Sequence, residues 1–187
     1  TETEQFEVPY LRGRKAGLGT PDEVANVASI YDAKKAMLKK DPNNPESYLK
    51  LAELFMNEAR ITGDHPYYYP AALQMIAAIP NLATQKEDIR FEAAYYKSSV
   101  LLSMHEFQKA LVEGENARKI FPLNAGIHGV LIDANVELGN YEEAVRLSDL
   151  MVGMRPDLRS YSRVSYLREI HGDPKGAIEA MLMAVDA

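Results

Sequence analysis

The sequence contains no cysteine and no tryptophan among its 187 residues. The absence of cysteine excludes disulfide bonds, a thiolate nucleophile and a zinc site of the cysteine type. No apolar run is long enough to span a bilayer, so membrane insertion is not expected. The chain also begins without methionine, as after removal of a signal segment or trimming, and both a cytoplasmic and an exported protein stay open.

Basic charge is also scarce, with 21 lysine and arginine residues against 27 aspartate and glutamate residues. The formal net charge of −6 argues against a nucleic-acid partner, because phosphate binding needs a clustered basic surface. One small basic cluster, formed by Lys34, Lys35, Lys39 and Lys40, fits the negative C-terminal end of a helix and a solvated face.

Signals for catalysis are missing as well. The sequence has no GxSxG elbow, P-loop, HExxH motif or acidic calcium loop. The four histidines stand in separate parts of the chain without metal-ligand spacing, and His105, His128 and His171 fit structural positions. We therefore predict a protein that is not an enzyme and that has no catalytic residues, metal or cofactor.

The sequence does contain an internal repeat. Residues 125–156 have the apolar spacing of two short amphipathic helices joined by a Gly-Asn-Tyr turn. Moving this segment back by 34 residues aligns Ala110 with Ala144, and moving it forward by 33 residues aligns Ala177 with Ala144. A period of about 34 residues with helix–turn–helix content is typical of tetratricopeptide (TPR) repeats.

The chain resembles a TPR protein over residues 21–187. The resemblance implies an all-α fold, a right-handed superhelix of antiparallel helix pairs with about seven helices. Residues 1–19 lack a helical period and contain three glycines, so they are expected to form an extended N-terminal arm. The repeat domain is expected over residues 20–187, as a partial unit at 20–44 and units at about 45–90, 91–124, 125–157 and 158–187.

TPR proteins usually bind peptides in a concave groove formed by the first helix of each unit. The resemblance places the groove in the unit from Pro45 at Glu46, Leu49, Glu53, Met56 and Asn57. Later units contribute Glu92, Tyr95, Ser99, Leu102, Ser103, Gly126, Gly129, Asp133, Val136, Glu137, Arg159, Ser162, Tyr166 and Glu169. Leu49 and Glu53 stand where chaperone carboxylate clamps have lysine and asparagine, so such a clamp is disfavoured. The groove is acidic with apolar patches, which suits a basic or amphipathic peptide, but ordinary solvated helix faces would have the same composition.

A second candidate site is the segment His65-Pro66-Tyr67-Tyr68-Tyr69-Pro70, which lies in an eight-residue surplus over the repeat period. It is predicted to be a proline-framed loop before a helix at about 71–79. Two interpretations are open. His65, Tyr67, Tyr68 and Tyr69 either form an aromatic binding edge or fill a gap beside the long preceding helix. Tyrosine suits both roles, because it buries apolar area and keeps a polar end.

The predicted function is a non-catalytic scaffold that binds a protein or peptide in the groove. The alternative is a regulatory or substrate-recruiting module of a longer enzyme or signalling protein, whose remainder lies beyond Ala187. The last helix has no polar capping element to cover its apolar face. We therefore expect that the natural chain continues, or that it self-associates through this helix.

Overall fold

The computed structural model of the protein describes residues 6–187. Within this range the chain forms nine α-helices, one 3₁₀ turn over Leu82–Thr84 and no β-strand. The predicted all-α class is confirmed, with somewhat more helices than the expected seven. The α-helices are α1 (Pro21–Lys40), α2 (Pro45–Thr62), α3 (His65–Ala77), α4 (Glu87–Ser103), α5 (Phe107–Ile120), α6 (Ala125–Glu137), α7 (Tyr141–Met154), α8 (Leu158–Ile170) and α9 (Pro174–Asp186).

Several helices begin where a short polar side chain caps the first turn. Before α1, Glu23 N donates to the Thr20 hydroxyl (3.2 Å) and Thr20 N donates to Glu23 Oε2 (3.0 Å), which forms a capping box. Side-chain oxygens also accept backbone hydrogen bonds before α2, α6, α8 and α9, from Asn44, Asn124, Asp157 and Asp173. Local sequence therefore determines these helix starts.

Helix α3 corrects the prediction of a proline-framed loop. The helix begins at His65 rather than at about residue 71, so the whole segment 65–70 is helical. Pro66 fits the first turn, where its missing N–H has no helical partner. Pro70 lies inside the helix and removes one hydrogen bond, but this helical start buries Tyr68 and Tyr69 to 1% and 6% exposure.

The described residues form two compact units, one up to Tyr96 and the other from Lys97 to Ala187. In the first unit, α2 packs against both α1 and α3. Its core includes Leu51, Phe55 and Met75, all fully buried. The Phe55 ring stacks on Tyr68 at 5.9 Å between centroids, which joins α2 to α3.

In the second unit, each helix from α5 to α9 packs against the next, and α6 also contacts α8. One contact recurs at the period of the sequence repeat. Ser98 Oγ donates to Ala110 O (2.9 Å), and two repeats later Ser165 Oγ donates to Ala177 O (2.8 Å). Both serines are buried, so the repeat preserves the geometry of a helix pair as well as its apolar pattern.

Residues 6–14, called the arm from here on, contain neither helix nor strand and lie against the first unit. Val8 is buried, and the Phe6 ring contacts Tyr48 of α2 at 5.7 Å between centroids. Arg14 pairs with Glu58 of α2, and their side chains are only 5% and 2% exposed. The arm therefore covers part of the core of this unit.

Helix α9 leaves a row of apolar side chains in solvent. Ile178, Leu182 and Val185 are 62%, 60% and 74% exposed. The predicted self-association through this helix would use that row, and it stays a prediction. Within residues 6–187, no helix combines the length and the apolar character needed to cross a membrane.

Candidate functional site

A cavity of about 380 Å³ opens between α1 and α2 in the first unit. Its apolar wall includes Val27 and Ile30 of α1 and Leu54 and Ile61 of α2. Spacings of three and seven residues place each pair on one face of its helix. Ile61 is 40% exposed, so apolar surface is left uncovered here. Concave apolar surface with a few polar groups is typical of ligand sites.

Charged side chains line the same cavity, among them Glu23, Lys50, Glu53 and Arg60. Lys50 Nζ lies 2.6 Å from Glu53 Oε2, one helical turn apart on α2. Both side chains are partly exposed, so this ion pair is accessible to solvent and contributes little to stability. A charged group of a ligand can therefore replace Lys50 or Glu53 in this ion pair with little loss of free energy.

A buried ion pair between the arm and α2 also lines the cavity. Arg14 Nε donates to Glu58 Oε2 at 2.9 Å, and Nη2 donates to Oε1 at 2.5 Å. This hydrogen bonding raises the pKa of the Arg14 guanidinium above its ordinary value. Arg14 Nη1 is buried beside Gly19 and has no hydrogen-bond partner among the described residues.

Acidic side chains cluster beside this cavity on the first unit. Partial burial raises the pKa of the Glu92 carboxyl above its ordinary value, and the carboxylates of Asp88 and Glu53 raise it further. Lys50 lowers the same pKa. Burial also raises the pKa of the Tyr96 hydroxyl, and the nearby carboxylates of Glu53 and Glu92 raise it further. The surface next to Glu53 is therefore one where an added positive charge is favoured.

Because the Glu92 pKa is higher in the folded chain than in the unfolded chain, folding favours the protonated carboxyl. The contribution of Glu92 to stability is therefore lost as pH rises from the unfolded pKa, about 4.3, through the folded pKa. We expect Glu92→Gln to raise the unfolding free energy at pH 7, by less than about 1 kcal/mol because the carboxyl is only partly buried and solvent screens its charge. Thermal unfolding followed by circular dichroism between pH 4 and 7 checks the difference.

Glu179→Gln on the exposed surface of α9 is the matched control for this experiment, since it makes the same chemical change in the other unit. The advantage of Glu92→Gln should shrink toward pH 4, where the parent carboxyl is itself protonated. A variant that is less stable than the parent at pH 7 would show that the Glu92 carboxylate is stabilised in the folded chain.

The predicted groove residues of the first unit fall into two environments. Leu49 and Met56 are buried, at 3% and 6% exposure, which corrects the prediction that they line an open groove. The buried residues of α2 include the consecutive triplets 47–49 and 54–56, which surround the helix because α1, α3 and the arm pack around it. Accessible surface is left at Glu46, Glu53, Asn57, Glu92 and Tyr95.

In the second unit, the predicted acidic position Asp133 is neutralised. Arg163 of α8 donates from Nε to Asp133 Oδ1 (2.8 Å) and from Nη2 to Oδ2 (2.7 Å). A Cβ at Gly129 would lie 3.1 Å from Arg163 Cζ, so the missing side chain makes room for the guanidinium. The other predicted positions are exposed or partly exposed: Ser99, Leu102, Ser103, Gly126, Val136, Glu137, Arg159, Ser162, Tyr166 and Glu169.

The tyrosines of segment 65–70 have packing roles. Tyr68 and Tyr69 are buried, and the ring of His65 stacks on Tyr69 at 5.0 Å between centroids. Tyr67 donates a hydrogen bond to the backbone carbonyl of Tyr10 in the arm, at 2.7 Å. Of the two interpretations of this segment, gap filling therefore describes Tyr68 and Tyr69, and Tyr67 contacts the protein's own arm.

Sequence reasoning missed the α1 side of the cavity and the ion pair beside it. One signal was present in the sequence. Glu58 follows Phe55 by three residues and Leu51 by seven, which places a carboxylate in the apolar row of α2. A charge in such a row indicates a buried partner, but the sequence does not indicate that Arg14 is that partner.

No family model matches the sequence, and no curated protein matches it significantly. Solved structures do resemble the chain. A crystal structure of MamA has a TM-score of 0.67 and 20% identity, over 88% of this chain and 90% of MamA. A MamA structure from Desulfovibrio magneticus RS-1 has a TM-score of 0.66 and 19% identity, over 86% of this chain and 84% of that one.

A third similar structure is YrrB, a TPR protein with an unusual peptide-binding site. Its TM-score is 0.62 at 13% identity, over 88% of this chain and 79% of YrrB. Likeness at such low identity shows the fold alone. The chain therefore has a TPR-like helical repeat fold, and the resemblance predicted from the 34-residue period is confirmed at this level.

Proposed function

We propose that the protein is an interaction scaffold that binds a basic, amphipathic peptide or protein segment at its first unit. An apolar side chain of the partner enters the cavity between α1 and α2. A neighbouring lysine or arginine of the partner lies against Glu53 and Glu92. The observation that carries the proposal is the uncovered apolar wall at Ile61 in a cavity that Glu53 also lines, with Glu92 close enough to Glu53 for the two carboxylates to interact.

Two features of the site support this partner chemistry. The cavity buries apolar area, which is the main favourable term in association. The carboxylates that raise the pKa of Glu92 favour a cation, which supplies orientation and selectivity. An amphipathic segment is the ligand class that uses both.

The likeness to YrrB gives further support, because a related fold there carries a peptide-binding site. The two sites need not coincide, since only the fold is shared. TPR-like repeats are well suited to such binding, because each repeat adds a helix pair and the loops and faces vary independently of the core. Function still has to be tested at the site itself.

A peptide selection tests the proposal while the natural partner is unidentified. Random peptides displayed on phage are selected on the intact protein, and enriched peptides are expected to carry an apolar residue near lysine or arginine. Their affinities are then measured by fluorescence polarisation against the parent, Ile61→Glu and Glu53→Lys. Both variants should weaken binding about tenfold or more, because one places a charge in the apolar cavity and the other opposes the cation.

Glu179→Lys on α9 is the control, since it makes the same charge reversal as Glu53→Lys away from the cavity. It should leave affinity unchanged. Peptides without the expected pattern, or peptides that bind the parent, Ile61→Glu and Glu53→Lys equally, would show that the cavity is not the binding site.

A further inference from the structure

The arm is held by tyrosine hydroxyl groups that bind its main chain. Three such groups donate to consecutive parts of the arm, each to a backbone carbonyl. The bonds join Tyr31 to Pro9 O (2.9 Å), Tyr67 to Tyr10 O (2.7 Å) and Tyr68 to Arg12 O (3.1 Å). Tyr68 Oη also accepts from Arg12 N at 3.0 Å, so one hydroxyl satisfies both backbone groups of a single residue.

Side chains of the arm provide anchors on the same surface. Val8 is buried at 7% exposure, and the Arg12 guanidinium lies 3.5 Å from the centre of the Tyr67 ring. Arg12 Nη1 also pairs with Asp64 at 2.9 Å. The most buried anchor is Arg14, which forms the bidentate pair with Glu58. We call the surface formed by Tyr31 of α1, Glu58 of α2 and Tyr67 and Tyr68 of α3 the tyrosine channel.

Main-chain hydrogen bonds combined with spaced side-chain anchors are how proteins recognise extended peptides. The arm has neither helix nor strand of its own, so the tyrosine channel supplies the backbone hydrogen-bond partners that secondary structure would otherwise provide. The contacts to carbonyl groups tolerate many sequences, whereas the burial of Val8 and the pairing of Arg14 with Glu58 select among them. The arm is therefore bound to the first unit in the manner of a ligand.

The segment between the arm and α1 can act as a hinge. Residues 15–20 are mostly exposed and contain no helix or strand. Gly17 and Gly19 have φ angles of +89° and +88°, which glycine adopts without strain. A Cβ at Gly17 would meet no atom within 4 Å, whereas one at Gly19 would lie 2.5 Å from Arg14 Nη1, so only Gly17 is free of packing. A turn about Gly17 would let the arm leave the tyrosine channel, and Arg14 would then lose its contact with Gly19.

We propose that the arm is an exchangeable ligand of the tyrosine channel, so that the arm of a second copy of this chain can take its place. The second copy is the occupant that the structure favours, because its arm carries the complementary valine, tyrosine and arginine residues in the correct order. The tethered arm has an effective concentration of about 1 mM, so exchange is a minority process in dilute protein. Reciprocal exchange gives a dimer with the same contacts as the monomer.

A charge-swapped pair of variants tests the exchange. Arg14→Glu puts a carboxylate on the arm opposite Glu58, and Glu58→Arg puts a guanidinium in the channel opposite Arg14, so each variant repels its own arm. When the two variants are mixed, each arm finds a channel of opposite charge on the other chain. We expect monomers for each variant alone and a one-to-one heterodimer in the mixture, measured by native mass spectrometry and light scattering.

The double variant Arg14→Glu with Glu58→Arg is the internal control, because it restores the pair within one chain and should stay monomeric. Mixing Arg14→Glu with the parent should give no heterodimer. A mixture of the two single variants that stays monomeric would overturn the proposal, provided that both are helical by circular dichroism.

A second pair keeps the test decisive if the buried variants do not fold. Arg12 and Asp64 form a more exposed pair, with side chains 53% and 35% exposed, so Arg12→Glu and Asp64→Arg should keep the fold. Donor and acceptor dyes on the two chains should give more energy transfer in the mixture of these variants than in mixtures of the parent with itself. Equal transfer in both would overturn arm exchange.

Discussion

The Glu58→Leu variant is expected to lose about 3 kcal/mol of unfolding free energy, because it leaves the Arg14 guanidinium buried without its anion. Urea denaturation followed by far-UV circular dichroism measures the loss. The arm should also become more accessible, since the ion pair is its most buried anchor. Trypsin cleavage after Arg12, Arg14 and Lys15 should therefore be faster in the variant than in the parent.

Arg14→Met leaves the Glu58 carboxylate buried in the same way and should cost a similar amount. The double variant should recover most of the loss, because two apolar side chains of similar volume need no compensation for lost hydration. The double-mutant cycle then measures the coupling of this pair alone. Single variants that each cost less than about 1 kcal/mol would mean that the pair behaves as an exposed one and that the arm is not docked.

Phe55→Ala is expected to lose about 4 kcal/mol, the range for truncating a buried aromatic ring. Phe55 is fully buried and contacts the rings of Tyr68 at 5.9 Å and Tyr31 at 6.3 Å between centroids. Its loss leaves a cavity between α2 and the two tyrosines that hold the arm. The chain has no tryptophan, so its near-UV circular dichroism signal reports mainly on tyrosine packing. This signal should be weaker in Phe55→Ala than in the parent.

Phe55→Leu is the matched control for this prediction, because it keeps most of the apolar volume and should cost about 1 kcal/mol. Leu131→Ala provides the same kind of truncation in the core of the second unit, where no arm lies. Of these three core variants, only Phe55→Ala should speed trypsin cleavage of the arm. A loss below about 1 kcal/mol for Phe55→Ala would contradict the packing of α2 against the tyrosines.

The binding and exchange experiments report on different surfaces, although Arg14 belongs to both. Peptide binding depends on the apolar wall at Ile61 and on Glu53, whereas arm exchange depends on the tyrosine channel. If arm exchange fails and selected peptides still respond to Ile61→Glu, the scaffold function stands without exchange. If both fail, the first unit has neither ligand site.

Much of the fold could be predicted from local sequence. Thr20 before Pro21 and Asp173 before Pro174 mark helix starts within one turn, and the structure places α1 and α9 there. The apolar period and the recurring alanines predicted helix pairs. These features depend on residues within a few positions of each other, so a single sequence contains the information.

Segment 65–70 shows where local signals were insufficient. Its two prolines favour a break, but the structure makes it the start of α3. The helix is favoured because it buries Tyr68 against Phe55, and that contact depends on how α2 and α3 pack. The groove prediction failed at Leu49 and Met56 for the same reason, since neighbours on every side of α2 bury them.

The sequence by itself determined the helical class, the repeat period and the capped helix starts, because each depends on short-range spacing. Only the tertiary structure decided the ion pairs between distant residues. Arg14 reaches Glu58 across 44 residues and Arg163 reaches Asp133 across 30, whereas Glu53 pairs with Lys50 within one helical turn. Pairing of this kind follows from which helix faces meet, and these contacts form only when the chain is packed.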